Sequence, residues 1–524
     1  IVNAFRNRDL GMLPRGGCAC PLETESMKAQ KRKKRAFCFL PLPLETDLPV
    51  HINGHFALDH EARRNLWRDE NGGYRSDWNN ALLSDVIASC YLTLLDEVRG
   101  LLHLQTSPII STFYLSCSKE ELIQKVKSYE NLFPCTSFNP YWTMLIKSVY
   151  QGMNTKKSRY LPVVRDSPDG SSWDFELTWF PPCGTGKDKA YFNDIQIKGC
   201  YSSLPDGEED ETTEETRSLQ RSMESILLQT GFNLLQFSLQ ILDAFESSKV
   251  VCYRTSPSAV IEFLKSFFTN VTSLPTDVAK TPFKNSEGVT LVLRYCKDSC
   301  KFLSNLPGLP LLLTQDNCLR VFSTDDRKYL SHYHDILPES KDMFVHEKLL
   351  CDIFPERLIH KASVFMAFNV YAFAQHLKGT LSLQHLGQSR VKVWSPDHPV
   401  EPNHRWIFKV WGFLAKLWKD NPCEANSFVM PLSNWSIIPA IEQVVLSTVD
   451  NAGGKDVTKQ QVLVPVKLAK CVLAFTENDQ KQRAPLVKVL RAVGLLELNS
   501  FVLFPLNTPP PVLSDSCILA TQVV

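Results

Sequence analysis

Two hydrophobic periodicities follow one another near the start of the chain, and together they restrict its fold more than any other feature. From Val50 to Phe56 apolar and polar residues alternate, which is typical of a strand with one buried face. From Leu82 to Val98 the apolar residues recur at helical spacing instead, at Leu82, Leu83, Val86, Ile87, Cys90, Leu94 and Val98. The sequence therefore predicts a multidomain, mixed α/β fold of the α+β class, in which helical segments alternate with small sheets and hairpins.

Capping signals predict where several helices begin. Ser76-Asp77 is expected to cap the helix that contains the first helical periodicity. Ser118 and Glu121 have the spacing of a capping box, and Ser256-Pro257 combines a cap with a proline at the first helical position. A further helix is predicted over Trp406–Trp418, where apolar residues share one face.

Turn residues predict where the chain reverses. Asn53-Gly54 suits a tight turn or a bulge. Asp316-Asn317 separates Leu309–Thr314 from Leu319–Phe322, and this arrangement predicts a hairpin. Between Asn139 and Phe192 we expect short strands and turns.

Length and composition indicate the domain organisation. A chain of 524 residues corresponds to about three to four domains, and an apolar fraction of 44% is enough to build a core in each. The acidic run Asp206–Glu215 lacks apolar residues, so we expect a disordered insertion there. The predicted segments are a linker or tail (1–34), a mixed α/β domain (35–200), the acidic insertion (201–217), a helical segment plus hairpin domain (218–350), a mostly helical domain (351–505) and a second tail (506–524).

Charge and cysteine usage restrict the partners and the compartment. The net charge is +1, so no basic field attracts nucleic acid or an anionic membrane, and we expect neither as a partner. The 16 cysteines are scattered without two pairs at zinc-site spacing, which is typical of reduced thiols in a cytoplasmic protein.

We recognise no signal peptide in the sequence and no apolar run long enough to span a membrane. Because the chain begins with Ile1, we expect a fragment of a longer protein.

Motifs that would indicate an enzyme are incomplete or missing. Cys183–Lys187 looks like a phosphate loop, but Asp188 stands where Ser or Thr would hold magnesium. His51 and His55 lie four residues apart in a strand, which is about 13 Å and too far for one zinc ion unless the chain bends at Gly54. No serine or cysteine has a recognisable base partner. We therefore predict no catalytic residue, no metal and no cofactor, and a hydrogen-bonding or surface role for the two histidines.

Arginines are concentrated in two places. A basic run over residues 31–35 ends at Arg35, and it is either a phosphate-binding or localisation patch or a solvated loop before a strand. The second group interleaves arginines with carboxylates, namely Arg63, Arg64, Arg68 and Arg75 with Glu61, Asp69, Glu70 and Asp77. These residues either form salt bridges on a surface, or one arginine meets a phosphate or acidic group of a neighbouring domain.

Several short blocks of the sequence resemble the repeat region of the sacsin family. The most specific block comprises Phe37–Pro43, Leu48–Leu58 and Arg63–Trp67. Less specific blocks are Asp77–Asn79 followed by Leu82-Leu83, and Leu309–Leu312 followed by Leu319–Phe322. The resemblance extends more loosely from about Arg35 to about Ser500.

This resemblance implies a chaperone-type function. Repeats of the sacsin family each begin with an ATP-binding domain of the kind found in the ninety-kilodalton heat-shock chaperones. The family suggests heat-shock chaperones and unfolded or cytoskeletal client proteins as partners. The motifs of the ATP-binding domain are not recognisable in this chain, so we expect residues 1–34 to be the linker or tail of an upstream ATPase-like domain. We do not expect the chain to bind ATP alone.

The resemblance also implies a role for arginines. In related ATPases the domain that follows can lend a basic residue to the γ-phosphate, which makes Arg35, Arg63 and Arg64 candidates for contact with the upstream ATP-binding domain of the same polypeptide. The expected function is a non-catalytic part of a chaperone or co-chaperone repeat, which binds clients or co-chaperones and relays conformational change. The alternative is a protein-interaction scaffold without chaperone activity.

Overall fold

The computed structural model describes most of the chain in separate segments. The described residues are 6, 11–21, 34–59, 64–69, 73–104, 118–156, 159–166, 173–179, 189–197, 210–268, 274–381, 385–386, 392–393, 395, 402–420, 430–445 and 457–465. The chain divides into two compact units, Ile1–Phe302 and Leu303–Val524. Helices and small mixed sheets occur together, which confirms the predicted multidomain α/β fold.

The first unit begins with a four-stranded sheet. Its strands are β1 (Gly16–Ala19), β2 (Lys34–Cys38), β3 (Leu40–Thr46) and β4 (His51–Gly54), in the order β1-β4-β2-β3. β1 is antiparallel to β4, β4 is parallel to β2, and β2 is antiparallel to β3. β1 lies within the predicted tail 1–34, so this part of the tail belongs to the fold. Its main-chain groups pair with β4, a relationship that the local sequence does not signal.

The turn or bulge that the sequence predicts at Asn53-Gly54 does not form, because both residues lie in β4 and pair with β1. Gly54 instead allows close packing. A Cβ atom at this position would lie 2.8 Å from the ring of Phe56 and 3.2 Å from the side chain of Ile87. The missing side chain therefore brings β4 close to the helix that follows in the chain.

One long helical stretch packs against the buried face of this sheet. It consists of α1 (Tyr74–Ala81), a π-helical turn (Leu82–Ile87) and α2 (Ala88–Leu101). The predicted cap at Ser76-Asp77 is wrong, since α1 begins at Tyr74 with Gly73 as its N-cap residue. The Ser76 hydroxyl instead accepts a hydrogen bond from the Asp69 amide at 2.6 Å. A long-range contact has replaced the local capping bond.

The π-helical turn changes which side chains are buried after it. Ile87 is buried, as the helical spacing predicts. Further along, Tyr91 and Leu95 are buried, whereas the predicted positions Cys90 and Leu94 are only partly buried. A π turn holds about one residue more than an α turn, which moves the buried positions by one residue at Tyr91 and Leu95, while Val98 is buried as predicted.

The next helix confirms its predicted start. α3 spans Lys119–Glu130, and the Ser118 hydroxyl accepts a hydrogen bond from the Glu121 amide at 3.2 Å. In return, the Ser118 amide donates to the Glu121 carboxylate at 3.3 Å, which completes the capping box. Leu122, Val126 and Tyr129 are buried, as the helical pattern predicts.

Residues 140–156 differ from the sequence prediction of short strands and turns. They form the helix α4 (Pro140–Lys156), which buries Trp142, Val149 and Met153 on one side. The short strands expected further along do occur, in a second four-stranded sheet of order β6-β5-β8-β7. Its strands are β5 (Arg159–Asp166), β6 (Trp173–Trp179), β7 (Tyr191–Phe192) and β8 (Leu234–Leu235).

Part of the acidic run is helical rather than disordered. The helix α5 (Asp210–Gln229) begins inside the segment 201–217 that we expect to be disordered. Glu214 forms ion pairs with Arg217 at 3.5 Å and with Arg221 at 3.6 Å, one turn and two turns further along. Acidic residues near a helix N-terminus are also favoured by the helix dipole.

The other elements of this unit are α6 (Leu239–Ser247), α7 (Pro257–Phe263), the strand β9 (Thr276–Asp277) and α8 (Ser286–Lys297). The helix α7 has the predicted Ser256 cap.

The second unit contains the predicted hairpin. β10 (Leu312–Leu313) pairs with β11 (Cys318–Arg320), and Asn317 has the left-handed φ of 60° that the turn requires. The pairing continues outward, because the Phe322 amide donates to the Leu309 carbonyl at 2.9 Å.

A tryptophan-rich helix forms the core of the second unit. Ile407, Val410, Trp411 and Leu414 of this helix are buried together, which confirms the predicted apolar face. The tryptophan-rich helix is α11 (His404–Asp420). Before it, after the hairpin, come β12 (Lys328–Tyr329), α9 (Glu347–Asp352), β13 (Phe365–Met366), α10 (Val370–Thr380) and β14 (Lys392–Val393). After it come β15 (Ser436–Val445) and β16 (Val457–Pro465). β15 and β16 form an antiparallel pair inside the segment that we expect to be mostly helical. No helix among the described residues is long and apolar enough to cross a membrane.

Candidate interface site

His51 in β4 and His55, which directly follows β4, act as hydrogen-bond acceptors for the main chain. His51 Nδ1 accepts the amide hydrogen of Arg35 at 3.1 Å, and His55 Nδ1 accepts that of Leu13 at 2.9 Å. His51 and His55 therefore tie β4 to the chain segments on either side of it. This agrees with the hydrogen-bonding role that strand geometry predicts for them.

Aromatic contacts reinforce these bonds on the outer face of the sheet. The rings of Phe37 and His51 pack edge to face with centroids 5.7 Å apart, and those of Phe39 and His55 do so at 5.3 Å. Between the histidines, Asn53 Oδ1 accepts the Phe39 amide hydrogen at 3.4 Å. Phe39 has a left-handed φ of 62°, so the Asn53 contact supports a main-chain conformation that is unfavourable for a bulky residue.

Helix α1 anchors the chain that leaves β4. The buried Asn79 side chain accepts the Ala57 amide hydrogen at 2.8 Å and donates to the Ala57 carbonyl at 2.9 Å and to the Trp67 carbonyl at 3.1 Å. The neighbouring Trp78 donates its indole N–H to the His55 carbonyl at 2.9 Å. The adjacent helical residues Trp78 and Asn79 thus position the main chain at His55 and Ala57, and Asn79 also positions it at Trp67.

Helix α4 adds a second anchor near Trp67. The Tyr141 hydroxyl donates toward the Trp67 carbonyl at 3.1 Å, and the guanidinium carbon of Arg75 lies 5.0 Å from the centroid of the Trp67 ring. We call residues 64–69 the arginine segment. Because its main chain is bonded to α1 and α4, the segment presents its charged side chains from a fixed support.

The predicted contact arginines occupy two different places. Arg64 is exposed in the arginine segment, and its amide donates to the Asp59 carboxylate at 2.9 Å. Arg35 is exposed on β2, and Arg63 lies outside the described residues. Within the described part of the chain, no carboxylate forms an ion pair with Arg35, Arg64, Arg68 or Arg75. Glu61, Arg63 and Glu70 lie outside the described residues, so the predicted salt bridges that would involve them stay predictions.

The Cys18 thiol is packed in its protonated form between β1 and the helical stretch. Burial raises the pKa of Cys18 to about 12, and the nearby Cys90 and Cys20 raise it further. The Cys18 thiol donates to the Ile87 carbonyl at 3.7 Å, inside the contact between β1 and the helix. The described residues contain no group of three or more metal-binding side chains that could hold an ion. The rejected phosphate loop, Cys183–Lys187, lies outside the described residues.

Sequence reasoning missed the anchors of this site. Asn79 was visible only as part of the block Asp77–Asn79, which contributed to the family resemblance without a stated role. The buried residues of its helix are Ser76, Trp78 and Asn79, so no apolar face in the local sequence indicated that Asn79 would be buried. Nothing in the local sequence indicated that Tyr141 would reach Trp67, because the two residues come from distant parts of the chain.

Comparison with known proteins finds extensive similarity to one very long protein. The chain is 30% identical to human sacsin over an alignment 522 positions long, which covers 95% of this chain. It spans only 11% of the length of sacsin. No protein-family model matches the chain, and no solved structure matches it.

Proposed function

Because the chain belongs to the sacsin family, we propose that it is a non-catalytic part of a chaperone or co-chaperone repeat. In this proposal it binds unfolded or cytoskeletal clients and heat-shock chaperones in the cytoplasm. It has no cofactor of its own and relays conformational change from an upstream ATP-binding domain of the same polypeptide. The similarity over 95% of the chain is the observation that carries the proposal.

The geometry of the arginine segment supports the relay. Asn79 and Tyr141 fix its main chain, so movement of the segment would be passed to α1 and α4 rather than absorbed locally. Arg64 is exposed and has no ion-pair partner among the described residues, which leaves its guanidinium available for a phosphate or carboxylate. Arg63 is adjacent in sequence and forms the second half of the proposed contact.

Chaperone activity is tested with an aggregating client. The chain is added to thermally unfolding citrate synthase, and light scattering is followed, with an equal mass of serum albumin as the control. We expect suppression of aggregation at near-equimolar ratio. Absence of suppression at a fivefold excess would contradict the chaperone proposal and favour the alternative, a protein-interaction scaffold without chaperone activity.

The relay is tested in a longer protein that includes the upstream domain. We expect Arg63→Ala combined with Arg64→Ala to lower the rate of ATP hydrolysis about tenfold or more. The reason is that the double variant would remove cations that stabilise the negative charge on the transferred phosphate. Arg68→Ala is the matched control, because it removes the same charge from the same segment. An equal effect of the control, or unchanged hydrolysis in the double variant, would refute the role of Arg63 and Arg64.

A further inference from the structure

The outer face of the first sheet carries an unusual set of polar groups. We define the donor face as His51 and Asn53 of β4 with His55 directly after that strand, together with Arg35 and Phe37 of β2 with Phe39 directly after that strand. These residues alternate with the buried Ala36 and Ile52, so they project from the side of the sheet opposite the helical stretch. Arg35, Phe39 and Asn53 are exposed, and the other three residues are half-buried.

The hydrogen bonds already made by β4 determine what this face offers to a ligand. His51 and His55 each receive a main-chain N–H at Nδ1, so in the neutral ring the hydrogen must lie on Nε2. Asn53 receives the Phe39 N–H at its carbonyl oxygen, which leaves the amide NH₂ group as the part that can bond outward. All three side chains therefore present donors.

These donors are regularly spaced and lack partners within the described part of the chain. Successive outward residues of a strand are about 7 Å apart, so the Nε2–H groups of His51 and His55 flank the Asn53 amide at even intervals. The Arg35 guanidinium adds a charged donor beside this row. The rings of Phe37 and Phe39 pack edge to face against the histidines, which fixes the imidazole orientations in advance.

Charge on the surrounding strands also favours an anionic ligand. Arg15, which directly precedes β1, and Arg35 on β2 are exposed cations. On β3, the residue that pairs with Arg35 is Glu45, and Glu45 is the one carboxylate of that strand. At the tip between β2 and β3, Phe39 and Leu40 are 68% and 75% exposed, so an apolar contact is available next to the donors.

We propose that the donor face binds an acidic segment of a partner protein. Carboxylates of the segment accept hydrogen bonds from His51, Asn53, His55 and Arg35, while one of its apolar side chains covers Phe39 and Leu40. A protein segment fits better than single-stranded nucleic acid, because the edge-to-face histidine contacts restrict base stacking on the rings. This inference does not depend on ATP or on the upstream domain.

Binding is measured by fluorescence anisotropy with the labelled peptide Glu-Asp-Glu-Phe-Glu-Asp-Glu and the full chain. One comparison peptide replaces the acids by Gln and Asn, and another replaces Phe by Ala. We expect the acidic peptide to bind at least tenfold more tightly than the neutral one, with a smaller loss for the Ala peptide. Its affinity should fall as salt is raised, as expected for contacts between charged groups.

The decisive variant combines His51→Asn with His55→Asn. Asn places its carbonyl oxygen near the position of Nδ1, so the variant keeps the acceptors for Arg35 and Leu13, while its amide NH₂ group ends about one bond short of the imidazole Nε2–H that it replaces. We expect at least tenfold weaker peptide binding with an unchanged urea midpoint. Arg35→Gln should also weaken binding, whereas Arg68→Gln, the same charge change in the arginine segment, should not.

Three outcomes would overturn the proposal. The first is no binding of the acidic peptide at concentrations up to about 1 mM. The second is equal binding by the double histidine variant and the unmodified chain. The third is that a uridine oligonucleotide binds more tightly than the acidic peptide and that this binding requires His51 and His55. This result would identify the face as a nucleic-acid site instead.

Discussion

The side-chain amide of Asn79 pairs with the main chain of Ala57 in both directions, accepting at 2.8 Å and donating at 2.9 Å. This is the pattern of two paired strand residues, although one partner is a side chain of a helix. A third bond to the Trp67 carbonyl satisfies the remaining donor of the amide. Asn79 is fully buried, so the loss of these bonds cannot be compensated by water.

We therefore expect Asn79→Asp to destabilise the first unit by about 2–4 kcal/mol, since the carboxylate accepts but cannot donate, so two hydrogen bonds are lost and a negative charge is buried beside two carbonyl oxygens. Urea denaturation followed by tryptophan fluorescence measures the change. Asn80→Asp is the matched control, because Asn80 is the exposed neighbour and should change stability by less than about 0.5 kcal/mol. Similar losses in both variants would contradict the anchoring role.

Two glycines of the first sheet should respond oppositely to the same substitution. Gly54→Ala forces a Cβ to within 2.8 Å of the Phe56 ring, and we expect a loss of about 1–3 kcal/mol from overpacking. Gly17 lies opposite Asn53 on β1 with nothing within 4 Å of its virtual Cβ, so Gly17→Ala should be neutral or slightly stabilising. Thermal unfolding of the two variants checks this, and a Gly54→Ala protein as stable as the parent would refute the packing argument.

The hairpin turn of the second unit should make stability depend on pH. Burial opposes ionisation of Asp316, but hydrogen bonds from Thr314 and Arg320 together lower its pKa below the usual 3.8. A lowered pKa in the folded state means that the stabilisation is present above the unfolded value and is lost as pH falls through the folded value. We expect Asp316→Asn to cost about 1–2 kcal/mol at neutral pH, through the charge-assisted bond to Arg320 at 2.6 Å.

The measurement is the urea unfolding free energy of parent and Asp316→Asn proteins between about pH 2 and pH 7. The difference between them should be constant at neutral pH and shrink below 3.8. Arg320→Gln in the Asp316→Asn background should add little at any pH, because the two residues act as a pair. A difference that grows on acidification would contradict the assignment.

Two nearby cysteines should differ in reactivity. Burial strongly raises the pKa of Cys296, so its thiol stays protonated and shielded at pH 8, whereas Cys300 is exposed. We expect iodoacetamide to label Cys300 much faster than Cys296 in the folded protein, as read by peptide mass spectrometry. In urea the two rates should converge. Equal labelling without denaturant would show that α8 does not bury Cys296 in solution.

Much of the local structure was predictable from residues that lie close together in sequence. The Ser118 and Glu121 capping box, the Ser256-Pro257 helix start and the apolar face around Trp411 all form as predicted. For His51 and His55, strand spacing favoured a hydrogen-bonding or surface role over a shared metal, and both side chains accept main-chain hydrogen bonds. In each case the pattern and the structure it specifies lie within one short segment.

The errors arose where a distant segment supplied a better partner. Ser76 bonds the Asp69 amide instead of capping its own helix, and Asn53-Gly54 pairs with β1 instead of turning. The π-helical turn moves the buried positions from Cys90 and Leu94 to neighbouring residues. Periodicity cannot anticipate such a shift, because it assumes a constant number of residues per turn.

At the candidate sites, too, local patterns were predictable from the sequence and long-range contacts were not. The sequence alone determined the amphipathic helices, the alternating face of β4 and the family, because each depends on residue type and local spacing. Only the tertiary structure decided that Asn79 bonds residues 22 and 12 positions away, and that Tyr141 bonds Trp67 across 74 positions. Those bonds form because packing brings buried polar groups together and removes water as an alternative partner, and the free energy of that exchange depends on the whole fold.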